Sequence, residues 1–498
     1  MATPEVPPEL LSKLLGQISS DPGIPLQGPT IAAWQEPAHA LADVHSDKLP
    51  ECVDFAIIGS GITGCSVAKT LLEHDAAGTK SVTVFDARRL TTGATSRNGG
   101  FLMSHAPTFF AAFAKAFGTD TAAQIARYCE RTLGEIVAAA KAEDLFDECQ
   151  IRDVETVITF ADEDSMAKFA ESVQMYQGHV PEFRGTYNKI SKEQAEKDHG
   201  LKNIVGAFTT PSRVFWPYRL ITGLHQRLLA RYPQRFSIET NTPVTSVAVS
   251  TDGTNPAYPY VLTTPRGVVR ASKVFHCTSG FVGHLLPKLR GPVFPCRLTM
   301  ACDRPGPQFG NRAVSWLWHV PISWDPETNL VEQGLYWMQQ NAQTGDLFYG
   351  GDTQKLDDFI TSNDTSVSVD AAENLKTLLP GRIFATGWAD PDTGAGVTSM
   401  NPRRTWCGIL SMTADQVPIV GHVPASLSGR DVDKGEWVAV GFNGYGMGQC
   451  WSAGEAIARM ALGEDKPAWL PDVYLSGEAR LTGATMSTEA ALQSFFER

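Results

Sequence analysis

The sequence lacks the features that mark several large classes of protein. Its nine cysteines include no CxxC pair, so we expect neither a disulfide framework nor a structural zinc site. No apolar run approaches the roughly 20 residues of a membrane span. The first residues show no basic segment followed by an apolar one, which would indicate a secretory signal. We therefore expect a soluble, cytoplasmic protein without a metal centre.

Basic residues are also too few for a general nucleic-acid-binding protein. The 498 residues include 42 basic and 54 acidic side chains, which gives a net charge of −12 without a local Lys/Arg cluster. Hydrophobic residues make up 43 % of the chain, as in ordinary globular proteins. We expect a small-molecule substrate, with no nucleic-acid partner and no membrane partner.

A nucleotide-binding pattern begins near residue 53. VDFAIIGS predicts a strand buried on both faces, ITGCSVAKTLLEH a helix, and SVTVFDA a second buried strand. Gly59, Gly61 and Gly64 lie between the first strand and the helix, and Asp86 ends the second strand. Such glycines allow a tight turn and a close approach of pyrophosphate, and the acid can bind ribose hydroxyls. The pattern predicts a dinucleotide site. The carboxylate of Asp86 argues against a cofactor with a 2′-phosphate on its ribose, and hence against NADP.

Three later segments extend this pattern. They are GATSRNGG at 93–100, TADQVPIVG at 413–421 and VAVGFNGYGMGQCWSAGE at 438–455. Together with the strand–glycine loop–helix–strand–acid unit, they resemble the D-amino-acid oxidase superfamily of FAD-dependent amine oxidoreductases. That superfamily includes glycine and sarcosine oxidases and γ-glutamylputrescine oxidoreductases. The resemblance covers roughly residues 52–465, although 110–200 and 300–400 match in layout only.

The resemblance implies an α/β fold, with a Rossmann-like FAD-binding domain and a second, mostly antiparallel-sheet substrate domain. The implied segments are an N-terminal extension at 1–50, a discontinuous FAD-binding domain at 51–110, 206–292 and 403–465, a substrate-binding domain at 111–205 and 293–402, and a C-terminal tail at 466–498.

The same resemblance implies which residues bind FAD. The backbone from about Arg97 to Phe101 would line the isoalloxazine ring, and Val244 would pack near the adenine. N–H groups of the late glycine loop would stabilise the negative charge of the reduced flavin. The predicted FAD-binding residues are Gly59, Ser60, Gly61, Ile62, Thr63, Gly64, Asp86, Ala87, Arg88, Thr95, Ser96, Arg97, Asn98, Gly99, Gly100, Val244, Gly280, Gly444, Tyr445, Gly446, Met447 and Gly448.

Covalent attachment of the flavin is a separate question. In sarcosine-oxidase relatives, a Cys that anchors the flavin lies seven residues before the Asp of the T-x-D element. Here Cys407 lies one position too early relative to Asp415. We expect non-covalent FAD and a buried Cys407 thiol, with Cys407 as a flavin anchor the less favoured alternative.

The resemblance implies oxidation of a C–N bond of a primary or secondary amine to an imine by hydride transfer to flavin N5, with O2 or another acceptor reoxidising FAD. Gln339 and Gln340 lie where amino-acid oxidases carry a carboxylate-binding Arg, which favours a bulky, non-carboxylate amine. Sarcosine-oxidase relatives place a Lys near flavin N5 to assist the reduction of O2, but no Lys lies between Lys288 and Lys355 here. Whether the enzyme is an oxidase or a dehydrogenase therefore stays open. The substrate-lining candidates are Tyr336, Met338, Gln340 and Tyr445.

No catalytic base is assigned, because hydride transfer from a neutral amine requires none. Four histidines could be considered for that role, but each is expected to be structural: His105, His276, His284 and His319. The aromatic residues Trp316, Trp318, Tyr336 and Trp337 could form an apolar or cation-binding wall or the core of a sheet.

Two other functions stay open at this point. A flavin-dependent monooxygenase that uses NAD(P)H would share the N-terminal glycine pattern, and a non-catalytic flavin-binding protein would share the whole fold. The late element TADQVPIVG resembles the amine-oxidase form, so we favour the amine oxidoreductase.

Overall fold

The helices are distributed over the whole chain. The computed structural model describes residues 6–76, 78–250, 255–351, 353–385, 388 and 396–496. The α-helices of these residues are α1 (Pro8–Ser19), α2 (Ile62–His74), α3 (Ala106–Phe117), α4 (Thr119–Ala142), α5 (Glu163–His179), α6 (Lys192–His199), α7 (Pro217–Arg231), α8 (Val282–Leu285), α9 (Leu356–Phe359), α10 (Val369–Thr377), α11 (Ala425–Ser428), α12 (Cys450–Ala461), α13 (Glu478–Leu481) and α14 (Thr488–Phe496).

The strands fall into three sheets. They are β1 (Cys52–Ile58), β2 (Val82–Phe85), β3 (Phe101–Leu102), β4 (Arg152–Phe160), β5 (Asn188–Ile190), β6 (Gly206–Val214), β7 (Phe236–Glu239), β8 (Ser246–Val249), β9 (Tyr260–Thr264), β10 (Gly267–His276), β11 (Val293–Asp303), β12 (Val314–His319), β13 (Ser323–Trp324), β14 (Leu330–Glu332), β15 (Leu335–Gln340), β16 (Leu347–Gly350), β17 (Thr353–Lys355), β18 (Arg404–Thr413), β19 (Ile419–His422) and β20 (Glu436–Val440).

The first sheet, here called sheet A, has a parallel centre in the order β20-β10-β1-β2-β7. β19 pairs antiparallel with β20, and the β8–β9 hairpin extends β10. Helices α2 and α12 cover one face, where Ile57 and Val84 pack with Val67, Leu71 and Ile457. Because β1, β10 and β20 are parallel, the early glycine loop (59–64), which follows β1, and the late glycine loop (441–448), which follows β20, lie at the same edge of the sheet.

The second sheet, sheet B, runs in the order β18-β11-β16-β15-β12-β4-β6-β3, with β5 paired to β6. All of its neighbouring pairs are antiparallel except β12 and β4. One face packs Trp316, Met338 and Tyr349 against Leu375 of α10 and Leu379. The small third sheet contains β13, β14 and β17.

The expected fold class is confirmed by these two large sheets. The domain boundaries stay predictions, and the sheets divide the chain somewhat differently. β3, β6 and β18 lie in segments expected for the FAD-binding domain but pair within sheet B. These three strands therefore belong to sheet B, although the segments that contain them were expected in the FAD-binding domain.

Residues before β1 pack closely on the rest of the chain. Leu14 and Ile18 of α1 are buried in a cluster with Phe495 of α14. Further along, the Gln27 side chain donates a hydrogen bond to the carbonyl oxygen of Ala87 at 3.0 Å. The expected N-terminal extension is thus in contact with sheet A. Among the described helices, none combines the length and the apolar character needed to cross a membrane.

The packing of α2 against α12 leads to a first prediction. A Cβ added to Gly454 would lie 2.6 Å from the carbonyl oxygen of Thr63 and 2.8 Å from Cβ of Ser66. Gly454→Ala should therefore lower the free energy of unfolding by about 1–3 kcal/mol, measured by denaturant unfolding. The matched control is Gly134→Ala on α4, where nothing lies within 4 Å of the new Cβ.

The control should raise the free energy of unfolding by roughly 0.5–1 kcal/mol, because alanine loses less backbone entropy in a helix. Equal stability of the Gly454→Ala variant and the original chain would contradict the close packing of the two helices.

Candidate functional site

The loop Gly59–Gly64 joins β1 to α2 at the carboxyl edge of sheet A. Gly59 has φ +110°, and a Cβ there would lie 2.5 Å from the carbonyl oxygen of Cys277. A Cβ on Gly64 would overlap the carbonyl oxygen of Gly59. Contacts within the protein therefore already require glycine at both positions, whether or not a ligand binds. The first turn of α2 still presents N–H groups that lack helical partners.

A carboxylate holds this loop in place. Ser60 donates from its backbone N (3.0 Å) and its Oγ (2.5 Å) to one Asp86 oxygen, and the N–H of Arg88 donates to the other at 2.9 Å. Desolvation raises the pKa of Asp86, and these hydrogen bonds oppose the rise. His225 lies 3.1 Å from the Ser60 carbonyl oxygen, and burial lowers its pKa to about 4. The predicted ribose-binding acid therefore also positions the glycine loop.

The next predicted segment is bonded directly to this loop. Thr95 Oγ1 accepts a hydrogen bond from the N–H of Ile62 at 3.0 Å, and a Cβ on Gly61 would lie 2.9 Å from the same oxygen. The Arg88 guanidinium turns away and binds both carboxylate oxygens of buried Asp364, at 3.0 and 2.8 Å. Arg88 therefore contributes to the candidate site through its backbone.

The RNGG turn (Arg97–Gly100) follows, and its first side chain points into the protein. The Arg97 guanidinium donates to the carbonyl oxygens of Thr92 at 2.7 Å and Cys407 at 2.8 Å, and to Thr30 Oγ1 at 3.2 Å. Burial lowers the pKa of Arg97 to about 10. The side chain is therefore an internal anchor, and only the backbone of this residue is available to a ligand.

Indole N–H groups hold two carbonyl groups of the RNGG turn. Trp406 donates to the Arg97 oxygen at 3.0 Å, and Trp34 donates to the Asn98 oxygen at 2.6 Å. The Asn98 side chain accepts from the N–H of Gly100 at 2.8 Å. The turn is thus fixed by β18 on one side and by the N-terminal segment on the other.

Sheet B covers the RNGG turn with alternate residues of β15. A Cβ on Gly99 would lie 2.8 Å from Cδ1 of Trp337, and a Cβ on Gly100 would lie 2.9 Å from Nε2 of Gln339. Because strand side chains alternate between faces, Trp337 and Gln339 define one face of sheet B, here called the turn-side face. The residues at 336, 338 and 340 point to the opposite face.

Three of the four substrate-lining candidates are therefore placed away from the turn. Tyr336 and Met338 are buried in the core of the opposite face. Gln340 donates to the carbonyl oxygens of Gly310 and Gly345, both at 2.8 Å, and accepts from the N–H of Arg312 at 2.7 Å. The register of β15 thus argues against a substrate contact by these three side chains.

The late glycine loop is bonded to the end of β18. Asn443 donates from its N–H to the carbonyl oxygen of Ser411 at 2.9 Å, and its side chain accepts from the N–H of Thr413 at 2.9 Å. Gly444 is exposed at φ +85°, and nothing lies within 4 Å of a Cβ built there. This part of the loop faces open space, as a ligand contact requires.

Tyr445 is the fourth candidate, and it lies beside the segment that follows the RNGG turn. Its ring stacks on His105 with centroids 4.8 Å apart and an interplanar angle of 13°, and Phe109 meets it edge-on at 5.3 Å. Burial lowers the pKa of His105 to about 3, so the imidazole is neutral. Among the four candidates, Tyr445 is the one brought close to the predicted flavin segments.

Two outlying predictions fall at the border of sheet A. Val244 is buried in a cluster with Ile58 and Phe85, and Phe85 is the last residue of β2, directly before Asp86. A Cβ on Gly280 would lie 3.0 Å from the carbonyl oxygen of Leu410. Contact of either residue with FAD stays a prediction.

The Cys407 thiol is buried and contacts other groups of the protein. Its Sγ donates to the carbonyl oxygen of Ser366 at 3.2 Å and lies 3.6 Å from Thr30 Oγ1. Burial raises the pKa of Cys407, which favours the thiol over the nucleophilic thiolate. These contacts favour the buried thiol over a flavin anchor.

Three residues near the turn were not singled out from the sequence. Trp34 lies in a segment without clear periodicity. Burial raises the pKa of Glu130 to about 7, and this residue of α4 hydrogen-bonds Ser104. Arg152 of β4 lies on the turn-side face as well. Ser315 pairs with Gln339 and hydrogen-bonds Thr156, which places Thr156 on that face, and Arg152 lies four residues before Thr156 on the same strand. The period-2 pattern of β4 could have indicated the placement of Arg152.

Comparison with known proteins decides the family. The model of the FAD dependent oxidoreductase family, DAO, matches residues 54–460, most of the chain. The chain belongs to this family. A comparison by sequence with curated proteins finds no match.

Solved structures of similar fold include several oxidoreductases. Glycine oxidase from Geobacillus kaustophilus has 16 % identity and a TM-score of 0.61, covering 86 % of this chain and 99 % of its own. L-Proline dehydrogenase from P. horikoshii has 15 % identity and a TM-score of 0.59, covering 86 % and 97 %. NikD, described as an unusual amino acid oxidase essential for nikkomycin biosynthesis, has 16 % identity and a TM-score of 0.63, covering 86 % and 98 %. At these identities the likeness shows the fold.

The described residues fit FAD, the cofactor of the DAO family. The Oγ1 of Thr278 is buried without a hydrogen-bond partner among the described residues, just after Cys277, which contacts Gly59. The first turn of α2 supplies N–H groups for a pyrophosphate, and Asp86 supplies a carboxylate for ribose hydroxyls. The same edge of the sheet also carries the open late loop at Gly444. Donors and open space therefore occur together where the family's cofactor would bind.

When bound, FAD supplies a two-electron acceptor. The protein contributes orientation and desolvation. The RNGG turn and the late loop would present backbone N–H groups to the cofactor, and the rings of Trp337 and Tyr445 would limit its contact with water. Neutral His105 adds no charge to this region.

The Ser60–Asp86 clamp leads to a second prediction. Asp86→Asn should weaken FAD binding about tenfold, because hydrogen bonds to a charged group contribute roughly 1.5–3 kcal/mol. The dissociation constant is measured by titrating the apoprotein with FAD and following flavin fluorescence.

Asp54→Asn is the matched control for this variant. Asp54 accepts hydrogen bonds from the N–H (2.8 Å) and Oγ (2.9 Å) of Ser81 at the other end of sheet A. The control should bind FAD normally. An equal loss of affinity in both variants would show that only general stability had been changed.

Proposed function

We propose that this chain catalyses the oxidation of a C–N bond of an amine to an imine. The carbon next to nitrogen loses a hydride to bound FAD, the nitrogen loses a proton to solvent, and O2 or another acceptor reoxidises the cofactor. The observation that carries this proposal is the contact of the late glycine loop with the segment that directly follows the RNGG turn: Tyr445 stacks on His105, and a Cβ on Gly448 would lie 3.8 Å from the carbonyl oxygen of Met103. Family membership supports the oxidoreductase activity.

The surroundings of the site favour a neutral amine as the reacting species. Trp337, Tyr445 and Phe109 are aromatic, and His105 is uncharged. Transfer of an ammonium group into such surroundings is unfavourable, so the pKa of a bound amine falls. The same aromatic surfaces suit a bulky substrate.

A second substrate class is favoured by one observation. Arg152 lies on the turn-side face, its Nη2 is buried without a hydrogen-bond partner among the described residues, and desolvation lowers its pKa. A guanidinium in this situation can bind a carboxylate. The second candidate substrate is therefore an amine that also carries an acidic group. Arg152 would then supply the cation that β15 lacks.

The proposed reaction is tested by adding amines to the FAD-loaded protein without air and following the flavin absorbance near pH 6–10. The rate of bleaching should rise with pH, because a larger fraction of the amine is then neutral. The rise should move to lower pH when the amine is replaced by one of lower pKa. His105 contributes no step, because its pKa of about 3 lies below this range.

Failure of every amine to bleach the flavin would overturn the proposal. NADPH consumption without an amine would favour the monooxygenase. A pH step fixed near 7 for all amines would point to Glu130, whose pKa is about 7, and would contradict control by the substrate.

Arg152→Met separates the two substrate classes. The variant should raise KM at least tenfold for acid-bearing amines and leave KM for neutral bulky amines unchanged, because it removes the guanidinium and keeps the apolar stem. Equal effects on both classes would argue against a carboxylate contact by Arg152.

A further inference from the structure

Trp34 lies upstream of the residues that match the DAO family, which begin at 54. It is 1 % exposed, and its ring stacks on Phe348 with centroids 3.8 Å apart and an interplanar angle of 19°. Trp216 meets it edge-on at 5.4 Å and donates from its indole N–H to the Trp34 carbonyl oxygen at 2.6 Å. A residue of the N-terminal segment is thus built into the core beside the RNGG turn.

The same segment reaches the turn at two adjacent positions. Trp34 donates to the Asn98 carbonyl oxygen at 2.6 Å. The neighbouring Gln35 side chain donates to Ser96 Oγ at 2.7 Å. A Cβ on Gly100, which has φ +73°, would lie 3.0 Å from the Trp34 ring. Both the hydrogen bond and the shape of the indole therefore constrain the turn.

The hydrogen bond fixes the direction of a peptide group. In a planar trans peptide the C=O and the following N–H point in opposite directions. Since the Asn98 oxygen is held towards Trp34, the N–H of Gly99 points away from Trp34. Trp406 acts in the same way on the Arg97 oxygen and so directs the N–H of Asn98.

We propose that Trp34 is a positioning residue for the cofactor, whose indole N–H keeps the Gly99 N–H available to FAD. Through the RNGG turn, the N-terminal segment then influences the affinity for FAD and the reduction potential of the bound flavin. Loss of this hydrogen bond frees the Asn98–Gly99 peptide group to rotate, which weakens and reorients a donor at the flavin. This role concerns FAD binding and holds for any substrate of the enzyme.

The test compares Trp34→Phe with Trp216→Phe in the full-length protein. Trp34→Phe keeps a stacked ring on Phe348 and removes the donor to Asn98. Trp216→Phe removes another buried indole donor, which acts on the carbonyl oxygen of Trp34, and leaves the bond to Asn98. The measured quantities are the dissociation constant for FAD, the visible spectrum of the bound flavin and its reduction potential. Each is recorded below the Tm of both variants.

Trp34→Phe should raise the dissociation constant roughly three- to tenfold, as expected for one hydrogen bond, and shift both the spectrum and the potential. Trp216→Phe should leave all three quantities unchanged. Unchanged flavin properties in Trp34→Phe, or equal changes in both variants, would overturn the proposal.

A benzothiophene analogue of tryptophan, introduced site-specifically at position 34, provides a second variant. It preserves the shape of the indole and lacks only the N–H donor. The analogue should reproduce the weaker FAD binding and the spectral shift of Trp34→Phe, including where Trp34→Phe proves too unstable to measure. Flavin properties like those of the original chain would exclude a role for the hydrogen bond.

Discussion

The buried guanidinium of Arg97 connects four parts of the chain at the candidate site. It donates to the carbonyl oxygens of Thr92 and Cys407 and to Thr30 Oγ1, and Asp364 lies 4.0 Å from its Nε. A charge this deeply buried is tolerated only when it is paired and hydrogen-bonded. Removal of one partner of a buried pair costs about 3–5 kcal/mol. The RNGG turn, β18 and the N-terminal segment are therefore held in one arrangement.

Much of the FAD-binding frame was predictable from short-range patterns. The buried strand, the glycines at 59, 61 and 64 and Asp86 follow from local rules of turn geometry, and the parallel sheet confirms the layout. The side chain of Arg97 could not be placed in this way. The same motif fits a guanidinium at the flavin or in the core, and the carbonyl oxygens that decide between them come from distant strands.

The substrate side was less predictable, because it depends on strand register. In β15, the sequence LYWMQQ from 335 to 340 does not alternate between apolar and polar residues, so it gives no sign of which alternate set faces the turn. A shift of one residue exchanges Trp337 and Gln339 for Tyr336, Met338 and Gln340. Trp34 had no sequence signal either. Its partners lie far away in sequence, and the segment around it lacks periodicity.

We propose that three segments distant in the sequence surround one bound FAD. Hydrogen exchange of the backbone amides with and without FAD, followed by mass spectrometry, tests this claim most directly. We expect slower exchange on FAD addition in peptides that cover 59–64, 97–101 and 441–448. Slower exchange confined to 59–64, with the other two segments unchanged, would contradict a flavin site built from both ends of the chain.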